Sequence, residues 1–407
     1  MKLGYGHTRA ACYLGYVSQA MVNNLGPLLF LTFNRQFGVS LQRLAFLVIL
    51  NFSVQLLVDL AAVQFVDRIG YRAAALAAHV CCVAGLCGMG ILPFVLPDPY
   101  GGLLIAVFIN GLGGGLLEVI ISPIVEALPG EHKAAAMSLL HSFSCWGGGG
   151  VVILSTVYFN LAGIDNWRWL PMLWALLPLG TVFLFAAVPL KTLIGESGAA
   201  IPLRELSVKR FFMFLFLMMI CSGASEQAMS QWASLFAEAG LEVSKTLGDI
   251  LGPCAFAILM GLARVLFGMQ KSGKDERRRL SGILLGAGVL CILSYLITVF
   301  SPWPLLSLGG CALCGFSVGV MWPGTFSLAA GIFPLGGTAM FAILALAGDV
   351  GCAAGPGLVG TVMNGTTLKT GLLTAIVFPL ILTAGNFALR GSIIRRNGSA
   401  AGQNGAS

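Results

Sequence analysis

The stretch "PLKTLIGESGAAIPLRELSVKR", Pro189 to Arg210, is the longest polar interruption in a mostly apolar sequence. On both sides of it, apolar runs of about 20 residues recur, which is the length that a helix needs to cross a ~30 Å hydrocarbon layer. Six runs precede the stretch and six follow it. The sequence therefore predicts an all-α polytopic membrane protein, with twelve transmembrane helices in two six-helix bundles joined by this segment.

The predicted spans are separated by short polar, proline or glycine breaks. They should be helical because lipid offers no water to unpaired backbone groups, and because the runs are too long and too uniformly apolar for barrel strands. In chain order, the spans cover residues 9–33, 40–64, 73–96, 102–126, 136–158, 168–189, 210–235, 246–269, 279–300, 303–331, 339–362 and 370–390.

This division predicts four parts of the chain. They are an N-terminal bundle over residues 1–189, a cytoplasmic linker over 190–209, a C-terminal bundle over 210–392 and a disordered cytoplasmic tail over 393–407. Disorder is expected in the tail because it is small and polar in composition. The first apolar run lacks a small-residue cleavage site and is followed by a second span, so we expect a retained helix rather than a signal peptide.

The composition excludes a soluble domain, because 57% of the residues are hydrophobic and only 10% are charged, against roughly 25% charged in soluble proteins. The net charge of +7 is a topology signal. An even number of spans places both termini on one face, and that face receives every Lys and Arg except Arg35, Arg43, Arg168, Lys245 and Lys369. The positive-inside bias therefore predicts cytoplasmic termini in a protein of the cytoplasmic (inner) membrane. No basic patch interleaved with aromatics suggests a nucleic-acid partner.

Two pairs of similar segments link the halves of the sequence. "SQAMVNN" in span 1, Ser18 to Asn24, matches "EQAMSQW" in span 7, Glu226 to Trp232. "EALPGEHKAAAM", Glu126 to Met137, matches "GIFPLGGTAM", Gly331 to Met340. Both matches are in register with the six-plus-six division, so the sequence predicts a duplicated architecture, which is common among secondary transporters.

Four carboxylates lie well inside spans: Asp59, Glu118, Glu226 and Asp349. A charge inside a membrane costs at least about 2.5 kcal/mol, so these residues are candidates for function. They are the predicted proton-coupling groups, together with His141, which titrates near neutrality. For Asp349 and His141, a structural hydrogen-bonded role is an equal alternative. Spans 3, 6, 9 and 12 contain no internal acid or base, which favours lipid-facing positions for these helices, while the other spans could enclose something polar.

Amides and indoles accompany the acids and suit a small, partly polar ligand. In span 2, Asn51, Gln55 and Asp59 recur every four residues and form one helical stripe. The alternative for any single amide is a hydrogen bond that only joins two helices, worth about 0.6 kcal/mol. The predicted substrate-binding residues are Gln19, Asn23, Asn24, Asn110, Glu118, Gln227, Gln231, Trp232 and Trp322.

Between spans 2 and 3 the sequence reads "FVDRIGYR", Phe65 to Arg72. This stretch resembles the Asp-Arg-x-Gly-Arg loop of the major facilitator superfamily, although Tyr71 stands where an Arg is usual. The resemblance implies a cytoplasmic gate whose charge-assisted bonds break when the two halves rock. Its residues here would be Asp67, Arg68 and Arg72, with Arg264 in the degenerate counterpart "GLARVLFG" of the second half.

Within that superfamily, the chain is most similar to the fucose-permease-like branch of sugar:proton symporters. The similarity lies in "GGGLLEVIISP" of span 4 and "WPGTFSLA" of span 10. It implies alternating access around a cavity lined by spans 1, 4, 7 and 10, with Glu118 binding substrate or a proton. The branch also carries an acid in span 1, where this chain has Asn23 and Asn24.

We therefore predict a secondary active transporter that moves a small polar metabolite, possibly a sugar, by proton symport. Na⁺ remains an alternative coupling ion, and a proton-antiport exporter of drugs or metabolites is the alternative function. An enzyme is not expected, because there is no recognisable nucleophile turn and no second acid that would pair with Asp349 as in an aspartyl protease. No cofactor or metal is expected, the 11 cysteines suit helix packing, and the predicted protein is a monomer in the lipid bilayer.

Overall fold

This computed structural model describes residues 3–129, 133–190, 209–270, 276–333 and 337–404. Within these residues, all regular secondary structure is helical. The membrane-length segments are named α1 to α12 in chain order. They are α1 Tyr5–Leu28, α2 Leu41–Ile69, α3 Tyr71–Val95, α4 Pro99–Ala127, α5 Lys133–Ala162, α6 Ile164–Ala187, α7 Arg210–Gly240, α8 Lys245–Gly268, α9 Glu276–Phe300, α10 Pro304–Ile332, α11 Gly337–Met363 and α12 Leu368–Arg390.

Eleven of these segments in the described residues are long and apolar enough to cross a membrane. The twelfth, α1, is more polar, because its second half carries Ser18, Gln19, Asn23 and Asn24. It nevertheless packs against α4, α5 and α6 like a member of the bundle. The predicted all-α polytopic class with a twelve-helix layout is confirmed.

Successive segments run in opposite directions, so the start of α1 and the end of α12 lie on one face of the bundle. We call this the terminal face and the opposite one the distal face. Within the first half α3 packs against α4 and α6, and within the second half α7 packs against α11. Across the halves, the main contacts are α2 with α11 and α5 with α8. A central space therefore lies between two bundles that touch along two helix pairs.

Small residues allow the closest helix approaches, as in membrane bundles generally. In α11, an added Cβ at Gly351 would meet the backbone of Ile220 in α7, and one at Gly355 would meet the backbone of Ala224. The glycines of α11 therefore let this helix pack closely against α7, and Asp349 of the same helix lies in the bundle interior, where it is 8% exposed.

Prolines explain where the segments break. Pro27 lies inside α1 and lacks the N–H that would bond to the carbonyl of Asn23, so the helix ends at Leu28 and a short helix, Phe30–Phe37, continues it. The predicted first span, 9–33, ran through this break. In α10, Pro323 follows a break at Val320, between Pro304–Gly319 and Met321–Ile332.

The segments α3, α6, α9 and α12, which were predicted to face lipid, expose apolar side chains on the outside of the bundle. Their exposed apolar side chains include Leu176 and Phe183 of α6, Leu293 of α9 and Phe387 of α12. Sequence reasoning overlooked one buried base in α3, His79. Its Nδ1 lies 2.7 Å from the carbonyl oxygen of Ala75. Lipid-facing positions for α3, α6, α9 and α12 agree with these exposed side chains.

The predicted linker, residues 190–209, lies outside the described residues except at its two ends. After α12 the structure differs from the predicted disordered tail. One helix runs from Val377 to Asn404, because the chain has no proline after Pro379 that would remove a backbone donor. Disorder is therefore corrected to helix for residues 393–404, and residues 405–407 lie outside the described part.

Candidate functional site

A cavity of about 380 Å³ lies between the two bundles. It reaches the terminal face, because its lining includes Phe267 and Gly268 at the end of α8. The lining residues come from α1, α2, α4 and α5 of the first half and from α7, α8, α10 and α11 of the second. They are Tyr16, Gln19, Asn23, Phe52, Gln55, Glu118, His141, Ser144, Glu226, Gln227, Arg264, Phe267, Gly268, Trp322, Pro323, Phe326, Asp349 and Cys352.

Three carboxyl groups meet beside this cavity, and two of them, Glu118 and Asp349, belong to its lining. Oxygens of Asp59 from α2, Glu118 from α4 and Asp349 from α11 all lie within 4.8 Å of one another. Asp59 Oδ1 is buried and has no hydrogen-bond partner among the described residues. Gln19 of α1 donates its Nε2 to Glu118 Oε2 at 2.9 Å. Carboxylates this close repel when all are charged, so a bound proton or cation would offset the repulsion.

The polar stripe of α2 faces α1. Asn23 Oδ1 accepts hydrogen bonds from Asn51 Nδ2 at 2.9 Å and from Gln55 Nε2 at 2.8 Å. Asp59, one turn beyond Gln55 on the same stripe, faces Asp349 in the other half. The four-residue spacing in the sequence thus brings three side chains to one side of α2.

An amide chain crosses from one half to the other. Gln231 of α7 donates Nε2 to Gln227 Oε1 at 2.9 Å and to the backbone carbonyl of Asn23 at 3.4 Å. Gln227 in turn donates to Glu226 Oε1 at 3.2 Å. The Asn23 carbonyl can accept a side chain because Pro27, four residues later, has no N–H to offer it.

An ion pair lies on the second-half wall of the cavity. Arg264 Nη2 of α8 is 3.4 Å from Glu226 Oε2 of α7. The sequence predicted Arg264 as part of the cytoplasmic gate motif, but its guanidinium instead lines the cavity. The reason is electrostatic, since a carboxylate that is largely withdrawn from water needs a cationic partner.

Aromatic rings cover another part of the wall. Trp322 and Phe326 of α10 make an edge-to-face contact with centroids 6.2 Å apart. In the first half, the ring of Tyr16 lies 5.5 Å from that of His141, and the Tyr16 hydroxyl is 2.7 Å from Ser122 Oγ. His141 is exposed to the cavity rather than packed in a core.

Besides Gln231, whose hydrogen bonds are described above, three predicted binding residues do not line the cavity. Asn24 donates Nδ2 to the carbonyl of Ala20 in its own helix, because one residue of helix turns it about 100° away from Asn23. Asn110 is 1% exposed and packs against α3, where a Cβ at Gly85 would overlap its amide. Trp232 is fully buried and donates Nε1 to the carbonyl of Pro356 at 3.1 Å. For these three, the contacts are structural.

In the Asp-Arg-x-Gly-Arg-like loop, Arg72 contacts its own bundle. Arg72 donates to the carbonyls of Phe185, Ala186 and Val188 at 2.6, 2.7 and 2.8 Å, so it caps the end of α6. Arg68 is exposed in the last turn of α2. The side chain of Asp67 lies outside the described part of the structure.

Sequence reasoning missed several lining residues that stand one helical turn from predicted ones. Tyr16 precedes Gln19 by three residues, Ser144 follows His141 by three, and Phe326 follows Trp322 by four. Residues three or four apart share a helix face, so this spacing was an available signal. Phe52, Phe267 and Cys352 show the same spacing, each lying three residues from Gln55, Arg264 and Asp349, respectively.

Comparison with known proteins gives a family and a fold. The Major Facilitator Superfamily profile matches residues 12–356. A D-xylose-proton symporter structure superposes with a TM-score of 0.75 at 14% identity, covering 94% of this chain and 96% of that one. A bacterial homologue of the human lysosomal transporter Spinster, in an inward-facing and occupied conformation, gives a TM-score of 0.76 at 13% identity. This match covers 95% of this chain and 97% of that one.

The E. coli fucose:proton symporter FucP, in a single-residue variant, gives a TM-score of 0.61 at 17% identity, with 94% and 98% covered. At such identities the similarity shows a common fold. No curated protein sequence matches this chain significantly.

Proposed function

The chain belongs to the Major Facilitator Superfamily of transporters, and we propose that it carries a small polar metabolite together with protons by alternating access. A sugar is the first candidate substrate, since two proteins of similar fold are a D-xylose and a fucose proton symporter. The observation that carries the proposal is the meeting of Asp59, Glu118 and Asp349 beside a central cavity.

The carboxyl cluster supports coupling because it joins the two bundles. Asp59 and Glu118 belong to the first half, and Asp349 belongs to the second. In a medium of low dielectric constant, three charged carboxylates within 4.8 Å repel strongly. Protonation removes that repulsion, so protons favour the conformation in which the three groups meet. Separation of α11 from α2 then favours proton release. Na⁺ would offset the same repulsion, and the experiment below separates the two ions.

The rest of the cavity supports a small hydroxylated ligand. Gln19, Gln55 and Gln227 present amides that both donate and accept hydrogen bonds, and Trp322 presents a ring on which a sugar face can stack. The volume of about 380 Å³ falls within the range of small-molecule sites. Trp232 is left out of this ligand contact because Pro356 and the core surround it.

The direction in which the cavity opens supports an inward-facing form. Its lining reaches the terminal face, whereas α1 and α7 are in contact toward the distal face. The excess of Lys and Arg on the terminal side makes this the cytoplasmic side under the positive-inside bias. We therefore assign the structure to an inward-facing stage of an inner-membrane importer in which the carboxyl cluster still holds its protons, which leave toward the cytoplasm once α11 separates from α2.

Export of lipophilic cations is the second candidate, because acids and aromatic rings share the cavity. Phe52, Phe267, Trp322 and Phe326 surround a space that also contains Glu118 and Asp349. Aromatic faces and carboxylates both attract an organic cation. In this case proton antiport, rather than symport, would drive transport.

Ligand screening followed by transport assays tests the proposal. Purified protein is screened by thermal shift against sugars, nucleosides, amino acids, organic acids and lipophilic cations at two pH values. Hits are then assayed in proteoliposomes with a proton gradient or a Na⁺ gradient.

We expect a sugar or similar polar compound to stabilise the protein and to accumulate with the proton gradient. Accumulation should be lost in Glu118→Gln and retained in the control Glu242→Gln, which changes an exposed distal acid. Stabilisation by lipophilic cations alone would favour the exporter instead.

A further inference from the structure

The distal face contains a second group of charges, separate from the cavity. Lys245 begins α8 in the second half, close to the end of α1 in the first half. Its Nζ donates to the backbone carbonyl of Leu28 at 2.7 Å and lies 5.3 Å from the centre of the Phe159 ring in α5. One ammonium group therefore contacts two helices of the opposite bundle.

The position of Lys245 suits a cation. Leu28 is the last residue of α1, where helix carbonyls lack an intrahelical donor and the helix dipole favours positive charge. An ammonium at this point replaces a missing hydrogen bond and also interacts with the dipole. If the bundles separated at the distal face, both contributions would be lost.

Asp249 completes the group from one turn further along α8. Its Oδ2 is 3.1 Å from Lys245 Nζ, and the residue is 1% exposed. Ser234 of α7 donates its hydroxyl to Asp249 Oδ1, and Thr156 of α5 donates to Oδ2 at 3.4 Å. Thr156 belongs to the first half, so this acid also contacts both bundles.

Further contacts across the halves surround this group. Arg35 Nη1 is 3.2 Å from Glu238 Oε1, and Thr246 donates to Asn160 Oδ1 at 2.9 Å. Glu238 also lies 3.9 Å from Lys245 Nζ. The outer ion pair is solvent-accessible, since the Arg35 side chain is 69% exposed, so it contributes little. The pair of Lys245 and Asp249 is less exposed, so it contributes more to the stability of this group.

A small apolar layer lies directly beneath. Leu28 of α1, Val152 of α5 and Cys254 of α8 form a separate buried cluster, with each residue 3% exposed or less. Two of these residues come from the first half and one from the second. Because these three residues are buried, Cys254 is withdrawn from solvent in this form.

We propose that Lys245 and Asp249 form a latch, with the Leu28 carbonyl, Thr156 and Ser234 as its partners, that holds the distal face closed. Opening breaks the contacts of Lys245 with Leu28 and Phe159 and of Asp249 with Thr156, and the charge pair stays with the second bundle. The latch sets the equilibrium between distal-closed and distal-open forms, so it controls access to the cavity whatever the substrate or the coupling ion. It is distinct from the carboxyl cluster of Asp59, Glu118 and Asp349.

The native Cys254 reports on the latch. The protein is placed in nanodiscs, which expose both faces, and is treated with a bulky hydrophilic maleimide. The modification of each cysteine is then followed by mass spectrometry. Lys245→Met should raise the rate of Cys254 modification by roughly tenfold, since truncating one partner of a buried charge pair is costly. The double variant Lys245→Met/Asp249→Leu leaves no unpaired charge and should also raise the rate of Cys254 modification.

Internal and external controls separate opening from unfolding. Cys291 and Cys314 are fully buried between α9 and α10, with sulfurs 3.9 Å apart, and should stay unmodified in every folded variant. Lys369→Met changes another distal lysine, at the start of α12. In this variant, Cys254 should be modified at the same rate as in the parent protein. An unchanged Cys254 rate in both latch variants would overturn the proposal. So would a rise that is matched at Cys291 and Cys314, because that pattern is unfolding.

Discussion

Gln231 of the second bundle donates its side-chain amide to the backbone carbonyl of Asn23 in the first, and the two residues occupy equivalent places in the repeated segments "EQAMSQW" and "SQAMVNN". Pro27 makes the contact possible by leaving that carbonyl without a helical donor. The two halves therefore meet at their symmetry-related positions. The bond is 3.4 Å long, so it can be exchanged for a ligand or for water.

Adjacent asparagines in α1 should behave differently. Asn23→Leu removes the acceptor of two hydrogen bonds and leaves the amides of Asn51 and Gln55 unpaired, so we expect a stability loss of about 1 kcal/mol or more. Asn24→Leu gives up only a bond within its own helix and should have a smaller effect. Thermal unfolding in detergent compares the two variants. Equal losses of stability in the two variants would mean that the amide network between α1 and α2 does not stabilise the protein.

Two tryptophans should separate structure from binding. Trp232→Ala removes a fully buried ring and should cost about 3–5 kcal/mol of stability. Trp322→Ala should have a smaller effect on stability and weaken ligand binding about fivefold to tenfold, since ring stacking is worth about 1 kcal/mol. Unliganded unfolding temperatures and ligand-induced shifts measure the two effects. A ligand shift that survives intact in Trp322→Ala would remove this ring from the site.

The cavity ion pair should show strong coupling in a double-variant cycle. Arg264→Met leaves Glu226 without its cation and should destabilise the protein by roughly 1–3 kcal/mol, less than for a fully buried pair because water reaches both groups. Adding Glu226→Gln should recover most of the loss. The unfolding temperatures of the two single variants and the double variant test this. Additive effects would show that the two side chains act independently.

The fold followed from the sequence because membrane spans depend on length and apolarity, which are properties of short stretches. The polar linker from Pro189 to Arg210 divided the chain, and the repeated Gln-Ala-Met segments aligned the halves. The break after Leu28 was also encoded, by Pro27, but a span defined by hydropathy alone ran through it. The helical end of the chain was missed because composition alone does not determine where a helix stops.

The site was only partly accessible to sequence reasoning, because the direction of each side chain depends on how helices are rotated against their neighbours. The costly acids Asp59, Glu118 and Asp349 were found individually, but their meeting needed the crossing of α2 with α11. Asn110 and Trp232 lie on cavity helices yet face other helices. Arg264 was assigned from a motif, whereas its position is explained by its pairing with Glu226.

We propose that protons move with the substrate through the carboxyl cluster of Asp59, Glu118 and Asp349. The most direct test of this proposal is the simultaneous recording of substrate uptake and lumenal pH in proteoliposomes, using a substrate found by the thermal-shift screen. We expect lumenal acidification to accompany uptake, and we expect Glu118→Gln and Asp349→Asn each to abolish both the acidification and the concentrative uptake. Uptake without acidification, driven by Na⁺ or unaffected by either substitution, would contradict the proposal.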